Sequence, residues 1–594
     1  MIRKAVNSSL VLKTIVDSFR FLTTQELWHS FGLSFLTAVG EIFQIASLLS
    51  LMPFINLIIY ENTLQKSTII NNIWVLLGQP EHSLMVMIFA GLTCSLIIGS
   101  FIINYLIIVW GEKFTVTSQQ RLAQTIFRSI LNAPYSWFLT RNTSTIVRLI
   151  YNDIGIWNRD IIRAVIRMAA LVPLLIVSVA VVLLTAPEAT LLIGFSAVTI
   201  LFILMRSIRP KQLQWTHAKR LSCDEVVVTA TDIIGGIKDV KVTGKSEIFS
   251  HSFEKQYHKM NKANSLLLII SNFPGMLLNA LGQISLVIVA YTLWLNIGSS
   301  QDVFNKITAL VLITSRIIPA LSNLSGSLSR IINVIPWITS LSDLINEISM
   351  LPSSPSNNDT SSQLPAITHV ERVDLDNIFF SYGTDNSVVL AGLNLKMKRG
   401  CHYGIVGKSG AGKSTLVDII IGLQEPNSGR ILIDGTPLDE IDHGAWCRSI
   451  GYVPQNPSFT DDTIRANIIF GNIEDEELLN KSIHDAGLSD FINELPEGID
   501  TRLGDQGIRA SGGQRQRISI ARSLYKQPVI LLLDEATASL DTETEVHILN
   551  TVEALKDNLI IVNISHRDSA IRTCDEVYLI KNGQASRLEP LKQP

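Results

Sequence analysis

Six stretches of this chain are apolar for about twenty residues or more, near positions 30–58, 83–110, 158–184, 188–207, 266–296 and 305–326. A helix of roughly 20 mostly apolar residues crosses the ~30 Å hydrocarbon core of a bilayer and satisfies its own backbone hydrogen bonds there. Six such runs demand a membrane domain. The chain is 594 residues long, too long for one core, so a second domain is expected after the last run. A net charge of −3 gives no reason to expect nucleic acid as a partner.

The charges around the runs set the orientation. Residues 111–167 carry Lys113, Arg121, Arg128, Arg141 and Arg148, and residues 206–262 carry eight Lys and Arg between Arg206 and Lys245. The connection 60–82 has only Lys66, and 297–304 has neither Lys nor Arg. Basic loops stay on the cytoplasmic side, so both long segments and both termini are expected there. The third run is the weakest, because Arg159, Asp160, Arg163 and Arg167 must sit below the bilayer. Segments 111–157 and 208–262 keep a helical period, so long helical extensions into the cytoplasm are expected. Residues 1–29 read as an amphipathic helix along the cytoplasmic face, not as a cleaved leader. Cys94, Cys223, Cys401, Cys447 and Cys574 lie too far apart for a disulfide framework or a metal motif.

The run 351–363, rich in Ser, Pro and Asn, cannot bury a core and reads as a linker. This divides the chain into a membrane domain over 1–345, a linker over 346–368 and a soluble α/β domain over 369–594. In that last domain a β-branched strand is followed by Gly407-Lys-Ser-Gly-Ala-Gly-Lys-Ser414 and then a helical stretch. This is a phosphate loop in its proper context. Gly407, Ser409, Gly410, Ala411, Gly412 and Thr415 offer backbone N–H groups that approach phosphate oxygens closely. Lys413 reaches the β- and γ-phosphates, and Ser414 is a ligand for Mg²⁺. Downstream, Val529-Ile-Leu-Leu-Leu-Asp-Glu535 reads as a doubly buried strand ending in two acids. Asp534 is then a second Mg²⁺ ligand, and Glu535 the general base for the attacking water. The alternative for the two acids is a helix N-terminal cap. ATP and Mg²⁺ are the expected nucleotide and metal.

Ala510-Ser-Gly-Gly-Gln-Arg-Gln-Arg517 narrows the family, since it resembles the signature sequence of ATP-binding cassette (ABC) proteins. The resemblance implies that Ser511, Gly512, Gly513 and Gln514 meet the γ-phosphate held by a partner cassette, so the chain should act as a dimer. It further implies adenine stacking by Tyr382, contact of Gln455 with Mg²⁺ and the membrane domain, a linking loop through Asp541, and a catalytic γ-phosphate contact by His566. A second copy of the chain is the expected partner, with a heterodimer as the alternative.

A six-span membrane domain ahead of the cassette resembles the exporter half-transporters of that family. Such proteins dock short coupling helices on the cassettes, and residues 134–140 and 231–241 are the candidates. Residues 501–507 resemble the segment that meets such a helix, with Asp505 and Ala510 where Glu and Leu are usual. The first span, the connection that follows it with an amphipathic stretch over 67–77, residues 236–241, and 315–319 in the sixth span are similar to bacterial flippases of lipid-linked oligosaccharides. That resemblance implies a lipid-linked saccharide substrate, membrane lipid as a partner, and the cell inner membrane as location. The alternative cargo is another lipid, peptide or drug-like amphiphile. An ionisable side chain inside a span is costly and marks a wet cavity or a partner, so Arg316 and Glu41 are the candidate substrate residues. The alternative for Arg316 is a position near the membrane edge, from which it snorkels.

Overall fold

The computed structural model describes residues 8–59, 72, 74–185, 187–297, 301–351, 366–382, 388–504, 507–536, 542–565, 567 and 571–588. The chain divides into two compact units. One is Met1–Leu131 with Arg141–Met350, and the other is Asn132–Thr140 with Leu351–Pro594.

In the first unit every apolar run lies on a long helix. The runs fall in Thr24–Ile59, His82–Leu131, Arg163–Thr185, Pro187–Gly235, Ser246–Ile297 and Gln301–Met350. Among the described residues, Thr24–Ile59, His82–Leu131 and Ser246–Ile288 are long and apolar enough to cross a membrane. The 50 residues of His82–Leu131 make a helix of about 75 Å at 1.5 Å per residue. That exceeds the hydrocarbon core more than twofold, so the helix continues far beyond it. The expected long helical extensions are therefore present, and each is broken by short helices. Tyr135–Leu139 and Thr143–Arg148 interrupt the first, and Ile237–Val242 follows Gly236 in the second. The segment Asn132–Thr140, which holds the first of these short helices, groups with the second unit.

Two boundaries differ from the expectation. The single helix read over 1–29 is a helix Ser8–Arg20 and the start of a second at Thr24. Thr23 divides them: its hydroxyl accepts from Glu26 N–H (3.3 Å) while Glu26 Oε2 accepts from Thr23 N–H (2.8 Å), a capping box that opens the second helix. Arg121 then grips Glu26 with Nε and Nη2, at 2.8 and 2.7 Å. The third run, read from 158, begins not in α-helix but in the π-helical turn Trp157–Ile162, and a second such turn, Leu149–Asp153, precedes it. The wider turns place Asp153 wholly inside, where Arg148 Nη1 lies 3.2 Å away and Arg220 Nη1 3.5 Å away. The same stretch places Asn158 Nδ2 2.6 Å from Ser118 Oγ. The amphipathic stretch expected over 67–77 falls mostly outside the described residues.

The second unit is built on two sheets. β1 (Arg372–Ser381), β2 (Val388–Lys398), β4 (Ser428–Ile433) and β5 (Thr436–Pro437) form an antiparallel sheet in the order β2-β1-β4-β5. β3 (Cys401–Gly407), β6 (Ile450–Val453), β7 (Ile530–Asp534), β8 (Ile560–Ile564), β9 (Glu576–Lys581) and β10 (Gln584–Leu588) form the main sheet. Its order is β10-β9-β3-β8-β7-β6, parallel throughout except at the β9–β10 edge. β7 and β8 are buried along their whole length, as expected of parallel strands covered on both faces. Parallel strands bring the carboxyl ends of β3, β7 and β8 to one edge of the sheet, where such sheets bind ligands.

Candidate nucleotide site

The loop after β3 turns through Gly410 and Gly412, with φ of +80° and +97°. A side chain at 412 would be strained there, and its Cβ would stand 3.0 Å from Leu390 Cδ2. At Gly407 a Cβ would come within 2.7 Å of the Ile580 carbonyl oxygen. The helix Lys413–Ile421 follows directly. Lys413 is buried at its first turn, and its Nζ donates to the carbonyls of Gly407 (2.8 Å) and Lys408 (3.2 Å). The ammonium is thus held across the mouth of the loop, where a phosphate can exchange for the carbonyls. The Tyr382 hydroxyl lies 3.0 Å from Thr415 Oγ1, and its ring stands edge-on to Phe380. The ring is two-fifths exposed (40%), so part of it is free to face a base.

Two strands away, β7 ends in Asp534 and the chain turns sharply at Glu535. Glu535 has a left-handed φ of +50°, and its N–H donates to the Ile564 carbonyl of β8 at 2.9 Å. That conformation is uncommon for a residue with a Cβ, and it directs the carboxylate to Gln455, whose Nε2 donates to Oε2 at 2.5 Å. Asp534 is nine-tenths buried. Burial, then the neighbouring Glu535 charge, push its carboxyl up, and Lys413 acts against both. A divalent cation would offset the same penalty. Ser414 and Gln455 can add a hydroxyl and an amide oxygen, the hard donors that Mg²⁺ takes with phosphate and water. The residues present therefore fit Mg²⁺. Lys413, Asp534, Glu535 and Gln455 come together, as do Tyr382 and Thr415. Asp534 ends a strand, while residues 537–541, where a helix cap for the two acids would form, lie outside the described residues.

Ser511 stands apart from this group. It caps the helix Gly512–Tyr525, with its Oγ accepting from Gln514 N–H (3.2 Å) and its own N–H donating to Gln514 Oε1 (2.8 Å). Gly512 and Gly513 open this helix, at the end where the helix dipole favours an anion. Among the described residues Ser511 makes no hydrogen bond with the phosphate loop of its own chain. Asp505, Asp541 and His566 lie outside the described residues, as does the side chain of Arg316. Glu41 is half-buried on Thr24–Ile59.

The sequence reading missed Asp418. It is the sole acid in Lys413–Ile421, and burial followed by the nearby Asp534 pushes it up to about 6. A second omission lies at the far end of the same helix. Trp446 Nε1 donates to the Ile420 carbonyl (3.0 Å) and His443 Nε2 lies 2.8 Å from the Gly422 carbonyl, so one short helix, His443–Arg448, caps the phosphate-loop helix.

Two family descriptions match the chain. The "ABC transporter transmembrane region" matches residues 30–319, and "ABC transporter" matches residues 390–538. ABC transporter B family member 1 of Dictyostelium discoideum is 29% identical over 84% of this chain and 54% of its own length. An ATP-dependent lipid A-core flippase of Escherichia coli is 26% identical over 86% of this chain and 84% of its own length. Over several further relatives the alignment spans only 37% to 60% of their length. A solved bacterial Atm1-family ABC exporter with ATP bound shares the fold, with a TM-score of 0.76 at 23% identity over 94% of each chain. With the membrane region and the cassette both matched in that order, the chain belongs to the ABC transporter family and has the fold of its exporters.

Proposed function

We propose that this chain is an ATP-hydrolysing exporter half that works as a dimer and moves a lipid-linked oligosaccharide outward across the inner membrane. The observation that carries the ATPase reading is the meeting of Lys413, Asp534, Glu535 and Gln455 at one edge of the main sheet. In this reading Lys413 leaves the Gly407 and Lys408 carbonyls for the β- and γ-phosphates, and Tyr382 turns its open face to adenine. Ser414, Asp534 and Gln455 would hold Mg²⁺, which supplies charge neutralisation on the phosphates. Glu535 leaves Gln455 to accept a proton from the attacking water, and His566 contacts the γ-phosphate. The Ser511 helix of a second copy meets the phosphates from the other side, because among the described residues Ser511 makes no hydrogen bond with its own phosphate loop. Binding therefore closes two cassettes, and hydrolysis releases them. The short helices Tyr135–Leu139 and Ile237–Val242 are the parts that carry closure to the six spans, with the basic extensions and both termini cytoplasmic.

Support for a saccharide-bearing lipid comes from the loose likeness of the membrane region to lipid-linked oligosaccharide flippases. The lipid A-core flippases among the relatives are named for a related cargo. Glu41 and Arg316 are the proposed cavity residues. The test is ATPase activity of the chain in lipid, with and without lipid-linked oligosaccharide, beside Glu535→Gln. Stimulation by the saccharide lipid that disappears in the variant supports the reading. Activity unmoved by any saccharide lipid removes the proposed cargo, and no activity at all removes the pump.

A further inference from the structure

The end of the phosphate-loop helix carries a group of side chains that the nucleotide reading does not use. The last carbonyls of a helix have no partners within it and must be met from outside. Here the short helix His443–Arg448 meets three in a row: Trp446 at Ile420, Cys447 Sγ at 3.8 Å from the Ile421 oxygen, and His443 Nε2 at the Gly422 oxygen. Asp442 caps this short helix by accepting from Ala445 N–H, and the Ser449 carbonyl accepts from Val529 N–H at the foot of β7. One element thus joins the phosphate loop's helix to the strand that bears Asp534.

Within it Cys447 and His443 are paired. They are one helical turn apart, and Sγ lies 3.6 Å from Nδ1. Because Nε2 is engaged by the Gly422 carbonyl, Nδ1 is the nitrogen left to face the sulfur. The hydrogen bond with Cys447, aided by the Gly422 carbonyl and Asp442 against burial, pushes His443 up to about 9. Lys526, itself half-buried, stands near Cys447, and Arg448 stands 3.8 Å from Asp442. The thiol is half-exposed. A partly exposed sulfur among a histidine and cationic groups is the setting in which cysteines react. Cys574 and Cys94 differ. Cys574 packs 3.1 Å from the Cβ direction of Gly404, and burial pushes it up to about 12. Cys94 is exposed, but on an apolar helix.

We propose that Cys447 and His443 form a thiol–imidazole site that takes up a low-molecular-weight disulfide of the glutathione class, and that the adduct silences the cassette by lifting the cap from the phosphate-loop helix. Cys447 gives its Sγ proton to solvent, and the thiolate, facing the His443 imidazolium at Nδ1, attacks one sulfur of the incoming disulfide. The Cys447 S–S bond forms as the incoming S–S bond breaks, and the departing thiolate takes a proton from solvent. Cys447 is oxidised, the reagent is reduced, and one free thiol leaves. The ammonium of Lys526 suits a carboxylate of glutathione. With Sγ 3.8 Å from the Ile421 oxygen, a tripeptide-sized adduct on it displaces the short helix outward. The Ile420 and Gly422 carbonyls then lose their partners and the helix beneath the phosphate loop shifts. The loss of function rests on the ATPase reading, but the thiol chemistry does not.

The test is incubation of the full chain in lipid with oxidised glutathione at neutral pH, following each cysteine by mass spectrometry alongside ATPase activity. Cys447 should be modified roughly tenfold faster or more than Cys401 and Cys574, and His443→Gln, which keeps a donor for Gly422, should slow it about tenfold. ATPase should fall in step with Cys447 occupancy and return on reduction, and Cys447→Ala should stay active and insensitive. Cys447 modified no faster than Cys401, or a rate indifferent to His443→Gln, overturns the site. Full occupancy with unchanged ATPase overturns the silencing. If the chain hydrolyses no ATP at all, the labelling rates still decide the thiol pair by themselves.

Discussion

Glu535 occupies a left-handed turn, held there by its N–H bond to Ile564 and facing Gln455. As the proposed base, Glu535 can be removed without disturbing the phosphate loop. Glu535→Gln should therefore lower steady-state hydrolysis about a hundredfold or more and leave nucleotide binding intact. Loss of binding in that variant would mean a structural role for the carboxylate. Asp418 gives a different signature. Its carboxyl is raised from 3.8 to about 6 by burial and by Asp534. A raised carboxyl means that the folded state disfavours the charged form. The penalty is absent below the unfolded value and complete once pH has risen through the folded one. Asp418→Asn should thus stabilise the nucleotide-free chain by ~1–2 kcal/mol at about pH 7.5 and by almost nothing near about pH 2.5. Thermal melts at the two pH values check this, and an equal effect at both would contradict it.

At the scale of elements, the phosphate loop depends on a turn that side chains resist. Gly412→Ala forces a methyl against Leu390 at a φ of +97°, so nucleotide affinity should fall at least tenfold with the fold otherwise kept. Titration with a fluorescent nucleotide reads this directly. In the first unit, Arg148→Ala leaves Asp153 buried with Arg220 at 3.5 Å as its remaining cation. Removing one partner of a buried pair costs about 3 kcal/mol, which should appear as a lower Tm. An unchanged Tm would show that the π-helical turn relaxes around the loss. These elements were unequally legible in the sequence. The apolar runs and the phosphate loop could be read directly, because a twenty-residue window and a fixed motif each carry their own physical reason. The division at Thr23 was hidden although Thr23 and Glu26 have the spacing of a capping box, since the apolar period runs on through it. The π-helical turns were hidden because residues 149–162 keep a helical pattern whatever the width of the turn. Asp418 and the His443–Cys447 pair were invisible as functional groups, because what they face belongs to strands and helices distant in the chain.

The whole molecule is proposed to be two copies of one chain, each site drawing Lys413 from one copy and Ser511 from the other. Lys413→Ala and Ser511→Ala chains should each be inactive alone. Mixed dimers should recover part of the ATPase activity, since one of their two sites is then intact. No recovery in mixed dimers would argue that both sites must be complete at once or that each chain hydrolyses alone. The central claim is that hydrolysis at this site moves a saccharide-bearing lipid between leaflets. The most direct measurement reconstitutes the chain in vesicles with a fluorescent lipid-linked oligosaccharide and follows its leaflet by quenching after ATP is added. The account predicts ATP-dependent movement away from the leaflet on the cassette side, abolished by Glu535→Gln. Hydrolysis without movement of that lipid would contradict it.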